Sequence, residues 1–447
     1  MKIYNTLSRK KEEFKPIKKG RVGFYSCGLT VYGYGHIGNY RAFVSADILR
    51  RVLEYNGYKV RQITNITDVD DKTIKGCQKE KKSLKDYTKP YEDAYFEDSK
   101  SLNIEDSFKY PKATEHIKEM VDIIKKLLKK GLAYKAEDGV YFNIKKFKGY
   151  GKLAKLKKVE LKEGGSERVK NDEYDKENVQ DFVLWKFYDK EDGDVFWEVD
   201  IGKGRPGWHI ECSAMAMKYL GESFDIHSGG IDLVFPHHEN EIAQSEGATG
   251  KQFAKYWVHN EWMLVDGKKM SKSLGNFYTL RDIKEKGYSP LDMRYFYLTG
   301  NYKTQINFTW KNLESSKNAL QRAKNIISEI KDDGKTNKKY LAEFEKVIND
   351  DLDMPKALAV LWKLLRDKKA DGKIKTVKKM DEVFGLGLLK KEKITVPDEV
   401  IELVGEREQA RENKNWKKAD ELREKIKKLG YQIDDSEEGT KIKKFPE

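Results

Sequence analysis

The sequence predicts an α/β fold: a parallel-sheet domain carrying an insertion, then a helical bundle and a small C-terminal domain. Three observations carry that prediction. Residues 22–63 run strand, glycine-rich turn, periodic helix, strand, which is a βαβ unit and therefore implies a parallel sheet. A strand with a glycine turn recurs at Phe224–Gly230 and a further strand-like piece at Tyr256–His259, after a long charged stretch that breaks the pattern. From about residue 290 onward the apolar residues recur only at helical spacing.

Bulk properties narrow the class. The 447 residues hold 88 Lys and Arg against 74 Asp and Glu, a net charge of +14 that suits a polyanionic partner such as nucleic acid or a lysine-rich solvated surface. No run of about 18 apolar residues is present, which argues against a membrane span. The opening MKIYNTLSRKKEEFKP lacks the apolar core of a signal peptide. Three dispersed cysteines do not make a disulfide scaffold, so a cytoplasmic location is expected.

The elements follow in order. Val22–Ser26 reads as a buried strand, and CGLTVYGYGHIGN (Cys27–Asn39) as a turn whose glycines let backbone approach a ligand. The helix beginning near Gly38 carries Phe43, Ala46, Leu49, Val52 and Leu53 on one face, and its N-terminus attracts anions. Gly57 caps it, and the strand Tyr58–Ile63 closes a Rossmann-like unit. Thr67 and Asp68 then lie beyond a strand's carboxyl end, where ligands bind in open α/β sheets. Residues 78–110 read as charged helix and 115–130 as an amphipathic helix. GLAYKAEDGVYFNI reads as a hairpin turning at Asp138-Gly139, and 145–180 as a mobile surface segment. The α/β pattern is expected to resume at Asp181–Trp185, with Cys212 early in a helix and Pro236 starting another. The expected division is 1–115 and 181–290 for the two halves of the sheet domain, 116–180 for a connective insertion, 291–392 for the bundle and 399–447 for the C-terminal domain with a charged tail.

Two groups of residues carry chemistry. Five of the seven histidines fall between His209 and His259, and Cys27 and Cys212 lie at turns of the same α/β half. His237 and Glu241 are one helical turn apart, so one face presents both. Two thiolates, an imidazole and a carboxylate make a reasonable zinc set, although His238 could replace His237, and buried cysteines with a polar helix start would look the same. Cys77 reads as a bystander. The second group is Lys268, Lys269 and Lys272 in the loop GKKMSKSLGN, where lysines can neutralise charge developing on a departing pyrophosphate.

HIGN at His36–Asn39 and KMSKS at Lys269–Ser273 resemble the paired signatures of class I aminoacyl-tRNA synthetases. CGLTVYGYGHIGN, NITDVDDKTI, GRPGWHIECSAM, FDIHSGGIDLVFPHHENEIAQSE and KMSKSLGNF resemble the cysteinyl-tRNA synthetase family in particular, and NWKKADELREKIKKLG carries the likeness to the tail. The resemblance implies a cysteine–tRNA ligase with one zinc ion held by Cys27, Cys212, His237 and Glu241, binding the substrate cysteine as its thiolate. It implies catalytic contacts from His36, Asn39, Lys269 and Lys272, with His36, Gly38, Asn39 and Lys272 on ATP, which would arrive with Mg2+. Gly28, Thr67, Trp208 and His227 would line the cysteine pocket. The first signature often ends in His where Asn39 stands here; Asn donates a hydrogen bond but carries no charge. The bundle and C-terminal domain would bind tRNA(Cys), with Trp416 suited to base stacking. A monomer without membrane contact is expected.

The zinc has a chemical rationale. A shaped pocket separates cysteine from serine poorly, whereas soft zinc favours a thiolate over an alcohol, so no editing domain is required. Two other readings keep parts of this site. A same-fold ligase joining cysteine to an amino-sugar would form the adenylate without charging tRNA, and the basic tail argues against it. A silent RNA-binding relative would not catalyse cysteine-dependent ATP–pyrophosphate exchange.

Overall fold

The computed structural model describes residues 1–156, 180–271, 274–390, 397–436 and 439–444. By internal packing the chain divides into one unit of Met1–Lys317 with Asp332–Leu386 and another of Asn318–Lys331 with Gly387–Glu447.

The first unit opens with a hairpin, β1 (Lys2–Asn5) and β2 (Lys10–Glu13), followed by β3 (Arg21–Ser26), α1 (Ile37–Tyr55) and β4 (Lys59–Thr64). Helices α2 (Asp71–Glu80), α3 (Leu84–Ser101) and α4 (Ile117–Lys129) come next. The strands β5 (Ala133–Lys135), β6 (Gly139–Phe142), β7 (Phe182–Phe187) and β8 (Gly204–Pro206) follow, then α5 (Trp208–Leu220), β9 (Phe224–Gly230), α6 (His237–Thr249) and β10 (Ala254–Asn260). The central sheet has the order β10-β9-β3-β4, and every neighbouring pair is parallel. The chain winds outward from β3 to β4, then returns to lay β9 on the other flank of β3. That reversal opens a crevice at the carboxyl ends of β3 and β9, and Cys27 sits in it, its N–H donating to the Ser228 carbonyl (3.2 Å).

The insertion is larger than the sequence suggested. The strand expected at Asp181–Trp185 forms, but it pairs antiparallel with β6 and β8 in a separate sheet of order β5-β6-β7-β8. An apolar run of this length serves either kind of sheet, so composition could not assign it. The hairpin turn lies one step earlier than expected, with the Ala136 N–H donating to the Gly139 carbonyl (2.8 Å). The surface segment expected over 145–180 falls mostly outside the described residues; its first part packs on α6.

The chain next forms β11 (Met263–Val265), β12 (Lys268–Lys269), α7 (Leu280–Glu285), α8 (Pro290–Leu298) and β13 (Ile306–Phe308). β13 pairs parallel with β11, so after α8 the chain past 290 returns to the strand that leads into the second signature before the run of helices begins. Helices α9 (Trp310–Glu329), α10 (Lys338–Ile348), α11 (Met354–Arg366) and α12 (Lys373–Phe384) follow, and the last three pack on one another through residues such as Phe344, Leu361 and Phe384.

In the second unit, α13 (Asp398–Glu412) and α14 (Trp416–Lys428) precede the hairpin β14 (Tyr431–Ser436) and β15 (Gly439–Lys444). The expected charged tail is therefore a folded hairpin. Val400, Val404, Ile426, Tyr431 and Ile433 form its core, the last two showing a strand's two-residue period on either side of the polar Gln432. Among the described residues, no helix is long and apolar enough to cross a membrane.

Candidate metal centre and nucleotide site

Backbone chemistry builds the crevice floor. A Cβ on Gly28 would stand 1.7 Å from the Asn65 carbonyl oxygen, so only glycine lets the loops after β3 and β4 close. Asn65 joins them: its Oδ1 accepts from the Gly28 N–H (3.0 Å), and its Nδ2 donates to Thr67 Oγ1 (3.1 Å). Gly28 and Thr67 are thus tied through one side chain that the sequence did not single out. Asp68 is turned away, accepting from the Thr114 N–H (3.0 Å) and hydroxyl (2.6 Å).

The crevice gathers a donor cluster. Ligand atoms of Cys27, Cys212, His237 and Glu241 all lie within 4.8 Å of one another, and so do those of an overlapping set, Cys27, His227, His238 and Glu241. Cys27 comes from the turn after β3, Cys212 from the second turn of α5, and His237 and Glu241 from successive turns of α6. Glu241 Oε2 is 2.9 Å from His227 Nε2; Oε1 lies 3.2 Å from His237 Nε2 yet accepts no hydrogen bond. The Nδ1 atoms of His237 and His209 are 2.9 Å apart. His238 Nε2 reaches Cys27 Sγ (3.3 Å), while its Nδ1 meets His259 Nε2 (2.7 Å), and His259 Nδ1 meets the Thr6 hydroxyl (2.8 Å). Trp208, half-buried at the start of α5, lays its ring 4.2 Å from that of His237. His227 stacks on Trp257 at 4.5 Å.

Burial governs the electrostatics. It raises the Cys27 thiol and the Glu241 carboxyl well above their ordinary values, and it lowers His237, His238 and His259, with His227 brought down to about 3. Such a site disfavours every charged form unless a cation is present, and a divalent ion reverses that balance by deprotonating thiols outright. Two thiols, imidazoles and a carboxylate oxygen without a hydrogen bond, all buried except the half-buried Cys27, are a donor set that zinc fits. Each of His237 and His238 has one ring nitrogen toward the cluster and the other held behind it, the usual arrangement around a ligand histidine.

The two signatures meet beside this floor. His36 caps α1: its Nδ1 accepts from the Asn39 N–H (3.1 Å), and Asn39 Oδ1 accepts from the His36 N–H (3.0 Å). That reciprocal cap places the proton of a neutral His36 ring on Nε2. The Ile37 N–H donates to the Tyr278 carbonyl (2.9 Å), so two of the first helical amides are already engaged, and any anion here meets the helix dipole and the His36 ring rather than an open amide cradle. The segment after the second signature lies against the first. His36 bridges Thr279, its ring meets Phe277 edge-on at 5.0 Å, and Met270 Cε is 3.4 Å from where a Gly38 Cβ would stand. Asn276 pins the loop by accepting from the Ser271 N–H (2.8 Å) and donating to the Lys269 carbonyl (3.1 Å). Lys269 is exposed, its ammonium 5.2 Å from the Trp262 ring centroid; Lys272 lies outside the described residues.

Sequence reasoning missed Thr6, Asn65, Glu239 and Asn240, and it counted His259 among the clustered histidines without giving it a role. Glu239 accepts from the Gly151 (2.7 Å) and Ala154 (2.8 Å) N–H groups, and the Tyr150 hydroxyl donates to Asn240 Oδ1 (2.6 Å), fastening the insertion to α6. The tight run PHHENE was the available signal for the α6 residues; Thr6 carried none.

Comparison with known proteins agrees with this geometry. Residues 13–318 match the family of class I (C) tRNA synthetase catalytic domains, and residues 395–441 match the cysteinyl-tRNA ligase anticodon binding domain. The chain is 47% identical to the cysteine–tRNA ligase of Protochlamydia amoebophila, over 99% of its own length and 98% of that protein. It is 48% identical to the cysteine–tRNA ligase of Brachyspira hyodysenteriae, over 99% of each. Among solved structures it shares the fold of Mycobacterium tuberculosis methionyl-tRNA synthetase with methionyl-adenylate, at TM-score 0.59, 14% identity and coverage of 82% of this chain and 88% of that one. It likewise shares the fold of an Agrobacterium radiobacter LeuRS–tRNA–LeuAMS complex, at TM-score 0.58, 10% identity and 84% coverage of each chain. A full-length match at this identity, a class I catalytic domain and a matching anticodon-binding domain place the chain in the cysteine–tRNA ligase family.

Proposed function

We propose that the chain activates L-cysteine as cysteinyl-adenylate and transfers it to tRNA(Cys), with Cys27, Cys212, His237 and Glu241 holding a zinc ion. What supports this most is the gathering of those four donors in the crevice where the parallel sheet reverses. The bound ion would supply a soft Lewis acid that holds the substrate sulfur as a thiolate and leaves serine a poor ligand. His227 then acts through Glu241, whose Oε2 it engages, and the Trp208 ring covers the His237 side of the pocket.

The cysteine carboxylate attacks the α-phosphate of ATP, with its Mg2+, and pyrophosphate departs. No side-chain nucleophile is needed, because positioning and charge stabilisation carry phosphoryl chemistry of this kind. His36 donates from Nε2, Asn39 holds the cap that orients it, and Lys269 and Lys272 neutralise the departing charge. A hydroxyl of the tRNA's terminal adenosine next attacks the adenylate carbonyl and AMP leaves. The bundle and the Trp416-bearing C-terminal unit bind the tRNA, and the protein acts as a monomer.

Metal content and cysteine-dependent ATP–pyrophosphate exchange test this together. Cys212→Ala should lose the metal and the exchange; a full metal complement with normal exchange would refute the site. Lys272→Ala should slow exchange with cysteine affinity little changed; the opposite pattern would refute the loop's role.

A further inference from the structure

Large exposed aromatics on a soluble surface call for a reason, and two of them share one turn. Tyr32 and Tyr34 are 38% and 41% exposed, on either side of Gly33, where an added Cβ would meet nothing within 4 Å. Each ring carries a cation: Lys72 Nζ lies 5.3 Å from the Tyr32 centroid, and the Arg281 guanidinium 4.0 Å from that of Tyr34. Tyr91 meets Tyr34 edge-on at 5.2 Å, and the Tyr87 hydroxyl donates to the Tyr32 carbonyl (3.0 Å). The turn is therefore braced and its rings oriented before anything binds.

Its position matters as much as its composition. Tyr34 is two residues before His36, and Arg281 is two residues after Thr279, which bridges His36. The patch thus borders the nucleotide signature while contributing no ligand to the metal cluster.

We propose that the Tyr32–Tyr34 turn, with Lys72 and Arg281, is a stacking platform for the single-stranded 3′ end of the tRNA as it enters the site. This rests on the tRNA-charging reading above and adds the side chains that receive the acceptor strand. Unpaired bases expose π-faces that a duplex hides, and aromatic side chains take such faces with little regard to sequence. The flanking cations meet the phosphates of the same strand, and an arginine already over a tyrosine adds cation–π stabilisation. The terminal ribose must arrive at the carbonyl activated beside His36, so the preceding nucleotides have to cross this rim. The adenine of ATP is the competing occupant, and the test separates the two.

Full-length Tyr34→Ala and Tyr34→Phe would be compared with the unmodified protein. The assays are cysteine-dependent ATP–pyrophosphate exchange, aminoacylation of a tRNA(Cys) transcript, and binding of that transcript with and without its four 3′-terminal nucleotides. Tyr34→Ala should raise the KM for tRNA about tenfold and weaken intact-transcript binding similarly, with exchange unchanged. The Phe variant should match the unmodified protein, and the shortened transcript should bind both alike. Unchanged exchange also shows that the alanine variant is folded. A raised ATP KM in exchange would assign the ring to adenine and overturn the proposal. So would an equal loss for both transcripts, or no loss for either. Charging at saturating tRNA tests the parent reading separately, since it survives even if this platform does not exist.

Discussion

Gly28→Ala isolates the step on which the whole crevice depends. The added methyl would stand 1.7 Å from the Asn65 carbonyl oxygen and 2.9 Å from its carbon, where real contacts stay beyond 3.0 Å. Both neighbours are backbone, so no side chain can swing aside. The loops after β3 and β4 must part by roughly 1.3 Å, the difference between the first and last of those distances. Parting them strains three hydrogen bonds: Gly28 N–H to Asn65 Oδ1 (3.0 Å), Thr67 N–H to the Leu29 carbonyl (3.1 Å) and Val31 N–H to the Thr67 carbonyl (3.1 Å). Overpacking costs about 1–3 kcal/mol and each net hydrogen bond about 1 kcal/mol, so a loss of about 4–6 kcal/mol is expected if all three bonds are lost. Cys27 is the adjacent residue, and its sulfur moves with the strain. The assay is urea unfolding of the metal-loaded protein, paired with the rate of metal release to a chelator. Midpoint and release rate should both shift. A variant that matches the parent in both would refute the claim that this glycine closes the floor.

Other perturbations address separate parts of the molecule. Asp47 is buried between Arg51 (2.8 Å) and Arg294 (2.5 Å); burial raises its carboxyl, but the two guanidiniums outweigh that and hold it below its ordinary value. Its contribution is therefore complete above the unfolded carboxylate range and lost as pH falls through the depressed folded value, so Asp47→Asn should cost about 3–5 kcal/mol at neutral pH and flatten the acid limb of a stability–pH curve. In the C-terminal unit, the Arg407 fork lowers Asp435, with bonds of 3.0 and 2.8 Å. Because Asp435 is about a third exposed, Asp435→Asn should cost only about 1 kcal/mol, seen in the C-terminal unfolding transition with exchange unaffected. Glu239→Gln supplies one acceptor where two N–H groups need one each, so protease cleavage within residues 147–156 should quicken, and an unchanged rate would contradict the strap. Prolonged chelation should abolish cysteine-dependent exchange while leaving tRNA affinity largely intact.

Local signals were legible wherever chemistry repeats at short range. The βαβ unit, the helix start at Pro236, the i,i+4 pair His237 and Glu241, and the two signature strings all declare themselves within a few residues. What failed needed long-range information. The strand at 182–187 looks the same whether it joins the parallel sheet or the antiparallel insertion, since only its partners differ. β13 is three residues long and gains its identity from β11, some forty positions earlier. Thr6 enters the cluster through His259, 253 positions away, and nothing local marks it. Asn39 was legible as an exception to a family pattern. Its physical meaning, the accepting half of the His36 cap, required the fold.

Helix α6 shows why hydrophobic pattern alone could not have found this site. Its first turns are fully buried and almost wholly polar, a combination that ordinarily destabilises a fold. The cost is offset because each polar side chain has a different neighbour: His237 meets His209, His238 meets Cys27 and His259, Glu239 holds the 151–154 backbone, Asn240 takes Tyr150, and Glu241 takes His227. Those partners come from α5, the β3 turn, β10, the insertion and β9. No apolar stripe could distinguish five directions in this way, whereas five polar groups with fixed geometry can. The same arrangement makes the donor cluster sensitive to the insertion, because Glu239 and Asn240 sit on the turn that bears His237 and Glu241. A displacement of residues 150–154 must therefore be felt at the ligand atoms, and the Glu239→Gln variant should show faster metal release as well as faster cleavage. Faster cleavage with unaltered metal release would mean that α6 holds its donors without help from the strap.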